Sequence, residues 1–102
     1  MATKLKTLTR LTPASATATQ ISSTVLRTPA VTLVADAGNT VQMYFGESDV
    51  STTKGAPIAP GQSITIQCPQ YGGSDDDLLL SDLYIYATTS SQILYVVYLG
   101  RT

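Results

Sequence analysis

Few side chains in this 102-residue chain have the chemistry to catalyse a reaction. Histidine is absent from the whole sequence, which removes the commonest general base and the commonest transition-metal ligand. The many serines therefore lack a Ser–His arrangement, and a hydrolytic triad is excluded. Glu47 and Asp49, two apart after Gly46, have the residue types of a glycosidase acid pair. Nothing beside them supplies a substrate cleft, so they read as surface acids, and Ser51 with Lys54 reads as a solvated loop. Cys68 ends an apolar alternation with no imidazole to activate it, the setting of a buried structural thiol. The one acidic cluster, "SDDDL" (Ser74–Leu78), offers Asp75, Asp76 and Asp77, together with Asp82, as oxygen ligands for Ca²⁺. Adjacent carboxylates on an extended chain point different ways, and the EF-hand spacing is missing. A solvated loop is the preferred reading, and the expectation is a protein that is not an enzyme and needs no cofactor or metal.

Charge narrows the partners. The formal net charge is −1, so no global field draws the protein to nucleic acid or to a membrane. Lys4, Lys6 and Arg10 form a loose basic group, too sparse for a phosphate-binding surface. A single cysteine rules out an internal disulfide and suits a reducing cytoplasm. The start "MATKLKTLTRLTP" lacks the apolar run of a signal peptide, and no segment reaches the length of a membrane span. Synthesis in the cytoplasm without secretion is the expectation.

The elements that would position any surface are strands. Thr, Ser, Val, Ile and Tyr dominate, residues that fit a pleated surface, and helical periodicity is nearly absent. Candidate strands are Ser22–Arg27, Ala30–Asp36, Thr40–Gly46, Gln62–Cys68, Asp82–Thr88 and Gln92–Leu99. "DAGNT" separates the second and third. "APGQ" (Ala59–Gln62) carries Pro then Gly where a type II turn wants them, and "TTSSQ" reads as a short hairpin loop. Short strands this closely spaced predict an all-β fold: a small antiparallel β-sandwich, jelly-roll-like, over residues 21–102. Residues 1–20, Thr/Ala-rich with Leu5, Leu8 and Leu11 at every third position, predict an extended N-terminal arm.

Alternation assigns the faces. Val31, Leu33 and Ala35 form one set, Val41, Met43 and Phe45 another, and Ile64 with Ile66 a third. Leu83, Ile85 and Ala87 would point inward, leaving Tyr84 and Tyr86 outside. In the last strand Ile93, Tyr95, Val97 and Leu99 oppose Leu94, Val96 and Tyr98, and neither set is polar. The closing stretch "SDLYIYATTSSQILYVVYLG" thus reads as a hairpin with one apolar face for its own core and a second rich in tyrosine. A central strand covered on both sides would explain this. A contact surface explains it better, because so short a chain cannot easily supply a third layer and tyrosine is enriched at interfaces. Covering one tyrosine, roughly 150 Å² at about 25 cal/mol per Å², is worth several kcal/mol.

The run "VTLVADAGNTVQMYFGESDVSTTKGAPIAPGQSITIQ", followed by "LSDLYIYATTSSQILYVVYLG", resembles small virion proteins of tailed bacteriophages. The shared pattern is a strand, a "GNT" turn, a strand ending in "YFGESDV", a loop closing on "GAPIAPGQSI", then "DLYIYA" and a final valine/tyrosine strand. It spans residues 22–99, while the arm and the stretch Tyr71–Leu80 depart from it. The resemblance implies a β-sandwich built into the particle as head decoration (cement), head fibre or tail component.

Together these readings predict a structural virion protein of the capsid surface, a dimer or trimer bridging neighbouring copies of the major capsid protein. The contacts would be Tyr84, Tyr86, Leu94, Tyr95, Val96 and Tyr98, with the arm residues Leu5, Leu8 and Leu11 lying on a neighbouring subunit. A tail, neck, baseplate or fibre adaptor is the alternative. A carbohydrate- or receptor-binding module, with tyrosine as the stacking platform, is a further one.

Overall fold

The computed structural model describes residues 3–67 and 78–101. Among them are ten strands: β1 (Thr3–Thr7), β2 (Thr19–Gln20), β3 (Arg27–Thr28), β4 (Ala30–Ala35), β5 (Met43–Gly46), β6 (Ala56–Ile58), β7 (Ser63–Gln67), β8 (Leu78–Leu79), β9 (Tyr84–Ala87) and β10 (Leu94–Arg101). Among the described residues the chain is all-β, with a 3-10 turn at Leu80–Asp82. Pairing is nested: β1 with β10, β2 with β9, β3 with β8, β4 with β7 and β5 with β6, every pair antiparallel. Nested pairs describe one long two-stranded ribbon, closed at its tip by the loop between β5 and β6. Two further pairings, β10 with β4 and β5 with β9, roll that ribbon up. The product is a first sheet ordered β1-β10-β4-β7, a second ordered β2-β9-β5-β6, and the small β3-β8 pair where the ribbon turns between them. This order is consistent with a jelly roll.

The inward alternation of both sheets makes the core. Val31, Leu33, Ala35, Leu94, Val96 and Tyr98 come from the first sheet; Met43, Ile58, Ile85 and Ala87 come from the second, and Ile21 and Leu80 complete the cluster. Each large aliphatic side chain taken from water contributes about 1.5–3 kcal/mol. Phe45, Ile64, Ile66 and Leu83, expected inward, are half-buried against it.

The turn at "APGQ" forms as its residues dictate. Gly61 has φ +79, which the second central position of a type II turn demands, and Gln62 N–H donates to the Ala59 carbonyl at 3.0 Å.

Three expectations are corrected. "TTSSQ" does not close a hairpin, because β9 belongs to the second sheet and β10 to the first. The loop crosses from one layer to the other, as does "DAGNT" between β4 and β5. Alternation says which residues share a face of a strand; it does not say which strand lies alongside. Second, Ser22–Arg27 is not a strand: pairing begins only at Arg27, after Ser22 has turned the chain through bonds with the backbone of Thr24.

Third, the arm is not separate from the sandwich. Residues Thr3–Thr7 add an edge strand to the first sheet, Leu11 and Ser15 bridge to Leu94 and Ala87, and Thr19–Gln20 edge the second sheet. The stretch from 8 to 18 carries the chain from one layer to the other. On an extended backbone, leucines three apart fall on opposite faces. Hence Leu8 packs against the core while Leu5 is 71% exposed; Leu11, past the end of β1 where the alternation is not kept, packs against the core as well.

Candidate interaction surface

The second sheet presents tyrosine outward. Tyr84 and Tyr86 alternate with buried Ile85 and Ala87 along β9, and Tyr44 follows buried Met43 on β5. Tyr44 and Tyr86 are directly opposed across the strands, with Pro57 of β6 on the far side of Tyr44. Opposed residues on one sheet face hold their Cβ atoms about 4.5–5.5 Å apart, so two rings and a proline form a continuous row. Tyr84 lies between Gly46 and Gln20, where the absence of a side chain at position 46 leaves the face low on one side of the ring. Gln42 Nε2 donates to the Tyr44 hydroxyl at 3.4 Å. All three tyrosines are half-buried. Tyr44 was not among the expected contacts; its place at an even position between Met43 and Phe45 is the signal that marks it as outward.

The last strand divides differently. Leu94, Val96 and Tyr98, expected at an interface, face the core and are 0%, 2% and 8% exposed. They are removed from the contact set, because the second sheet covers them. Tyr95 does face outward, at 37% exposure, but its hydroxyl is committed: it donates to Asp36 Oδ1 at 2.9 Å. The other oxygen of Asp36 accepts the Gly38 N–H at 2.8 Å, so Asp36 ties Tyr95 to the start of the inter-sheet loop. Around Tyr95 the first sheet's outer face is largely polar. Thr7, Thr32 and Thr65 flank Val97, and Ser63 follows Val34, with the Thr32 and Thr65 hydroxyls 2.9 Å apart. Among the arm leucines, only Leu5 is open to solvent; Leu8 and Leu11 are half-buried against the core.

Two buried amides that the sequence reading passed over hold the two layers in phase. Asn39 Nδ2 donates to the Ile93 carbonyl at 3.0 Å, while Asn39 Oδ1 accepts the Ile93 N–H at 2.8 Å. The side chain thus replaces a missing strand partner. Gln92 Oε1 accepts the Thr40 N–H at 2.8 Å and the Val41 N–H at 3.3 Å, and its Nε2 reaches the Thr40 hydroxyl and the Ser90 carbonyl. Buried Thr28 plays a similar part at the corner, its Oγ1 accepting from Leu99 N–H at 3.1 Å. A polar residue beside a strand end is the only sequence signal for these clamps, and it is shared by ordinary turn residues.

The residues considered for chemistry are not assembled into a site. Lys54 Nζ binds Asp49 rather than Ser51, and this hydrogen bond holds the Asp49 carboxyl below its ordinary value and the Lys54 ammonium above its own. Both side chains are more than half exposed. Asp82 is exposed at the end of the 3-10 turn, whereas Asp75, Asp76, Asp77 and Cys68 lie outside the described residues. Among the described residues, no three His, Cys, Asp or Glu side chains are grouped to hold a metal ion. No protein-family model, curated protein or solved structure matches the chain.

Proposed function

We propose that this chain is a structural virion protein of a tailed bacteriophage that decorates or cements the capsid, setting the tyrosine face of its second sheet against the neighbouring capsid subunits. The observation that carries this reading is the outward row of Tyr44, Tyr84 and Tyr86, on a sandwich consistent with a jelly roll. The resemblance of residues 22–99 to small phage virion proteins supports the same setting. Tyrosine gives wide, stiff contact area with a polar tip, suited to a surface that must be soluble when free and buried when bound. A protein that binds only the assembled shell stabilises it by mass action, and many copies on a symmetric lattice make modest contacts sufficient.

The test is quantitative. Purified particles of the phage that encodes the chain should contain it in hundreds of copies, counted by gel densitometry. A count of about a dozen or fewer would move it to the tail or neck, since those assemblies are small rings. Absence from the particle would sink the reading. Tyr84→Ser with Tyr86→Ser should abolish attachment to stripped capsids while leaving the far-ultraviolet circular dichroism unchanged.

A further inference from the structure

Each sheet has two edges, and an edge strand with free backbone groups is a template for another chain unless something blunts it. Three of the four edges of the two four-stranded sheets are blunted. β1 carries Lys4 and Lys6, both exposed. β2 is two residues long. β6 is three residues long and contains Pro57, which has no N–H to offer. β7, "SITIQ", is five residues with no charge and no proline, and no described strand lies on its outer side.

Its free groups can be assigned from the ladder. Ala35 N–H donates to the Gln62 carbonyl at 2.9 Å, so β4 bonds to β7 at Ala35, Leu33 and Val31, opposite Gln62, Ile64 and Ile66. The N–H and C=O groups of Ser63, Thr65 and Gln67 consequently point away from β4, toward solvent. Ile64 and Ile66, facing the core side of the strand, are half-exposed, with no described strand beyond β7 to cover them.

We propose that β7 is a dimerisation edge, and that its occupant is β7 of a second copy of this chain, paired antiparallel about a two-fold axis at Thr65. In that register Thr65 faces Thr65 of the second copy and Ser63 faces its Gln67. All three outward residues then exchange N–H···O=C bonds, about six in all. Ile64 comes to lie beside Ile66 of the other copy, so each covers the other's open flank. The strand is its own complement, as a closed two-fold interface requires. No charge opposes a like charge, which β1 pairing with itself would not achieve. The two first sheets merge into one continuous sheet across the dimer. This inference goes beyond the virion reading and does not depend on it.

The experiment is sedimentation equilibrium of the full chain, from about 1 µM to about 1 mM, because a single short strand pair buries less than a standard interface. The wild-type chain should pass from monomer to dimer of the 10.8 kDa protomer. Thr65→Pro should abolish the dimer: it removes an N–H that β4 does not use, so the fold is retained, which circular dichroism checks. Thr65→Lys provides a second variant and should give the same loss by placing two ammonium groups face to face. Leu5→Lys, on the opposite edge, should leave the dimer intact. Register is read by oxidation in a Cys68→Ser background. Thr65→Cys should give a covalent dimer, and Ser63→Cys should not, because its own copy lies roughly 13 Å away along the strand. A wild-type chain that is monomeric throughout overturns the proposal. So does a dimer that survives both Thr65 variants, or one that cross-links through Ser63→Cys in preference to Thr65→Cys.

Discussion

β9 and β10 carry nearly the same kind of sequence, tyrosine mixed with aliphatic residues, and they do opposite things with it. In β9 the tyrosines face out and Ile85 and Ala87 face in. In β10, Tyr98 is in the core beside Val96 and Leu94, and Tyr95 is outside, latched to Asp36. The strands are consecutive in the chain, yet they sit in different sheets and send their inward residues into the same core. Tyrosine content therefore does not mark an interaction surface by itself. What marks it is a tyrosine row whose inward alternates are already satisfied and whose hydroxyls are not tied down within the chain. The row of Tyr44, Tyr84 and Tyr86 meets the first condition fully, and among the described residues only the Tyr44 hydroxyl has a partner, the long contact from Gln42.

Substitutions can break this contrast. Leu94→Ala, at the inward start of β10, should cost about 2–5 kcal/mol in urea unfolding, the price of a core cavity. Tyr86→Ser, outward on β9, should cost about 1 kcal/mol or less. Equal losses would mean that the inward and outward sets are misassigned. Asn39→Ala should fall between them, at about 1–3 kcal/mol, because the Ile93 N–H loses its partner and the Ile93 carbonyl keeps only the Asp36 N–H. Asn39→Asp should recover only part of that loss, since Oδ1 can still accept from the Ile93 N–H while the side-chain donor to the Ile93 carbonyl is gone.

Smaller effects sharpen it. Tyr95→Phe should cost about 1 kcal/mol through the lost bond to Asp36, whereas Tyr84→Phe should leave the unfolding midpoint unchanged. The smallest effect expected is at the loop that closes the ribbon beside β5. Asp49 has its folded value lowered by Lys54, so its contribution is present above the ordinary carboxylate range and fades as pH falls through that lowered value. Lys54, raised by the same bond, contributes below its ordinary value and loses that contribution as pH climbs through the raised one. Asp49→Asn should thus give a slight loss of stability near neutral pH that vanishes in acid and in about 1 M salt, since the pair is exposed.

Much of the layout was legible residue by residue. Alternation located β4, β7, β9 and β10 to within a few residues, and Pro60–Gly61 named its own turn. Period-two patterning is local physics, set by each strand's two faces, and local signals survive in a single sequence. Partnership is not local. Nothing in "TTSSQ" distinguishes a hairpin from a crossing between layers, and the inward direction of Leu94, Val96 and Tyr98 follows from the second sheet, whose strands lie elsewhere in the chain. β6 escaped notice because Pro57 argues against a central strand and permits only an edge. The interaction surface was half visible: Tyr84 and Tyr86 faced outward as alternation required. Tyr44, forty residues before Tyr84 in sequence, joins them only when β5 pairs with β9.

The division of the tyrosines is tested most directly by hydroxyl-radical footprinting of the isolated chain, read by peptide mass spectrometry at each tyrosine. Tyr44, Tyr84 and Tyr86 should be oxidised readily and Tyr98 protected until the chain unfolds. Tyr98 oxidised as fast as Tyr86 in the folded protein would contradict the account, because the last strand would then show solvent the face assigned here to the core.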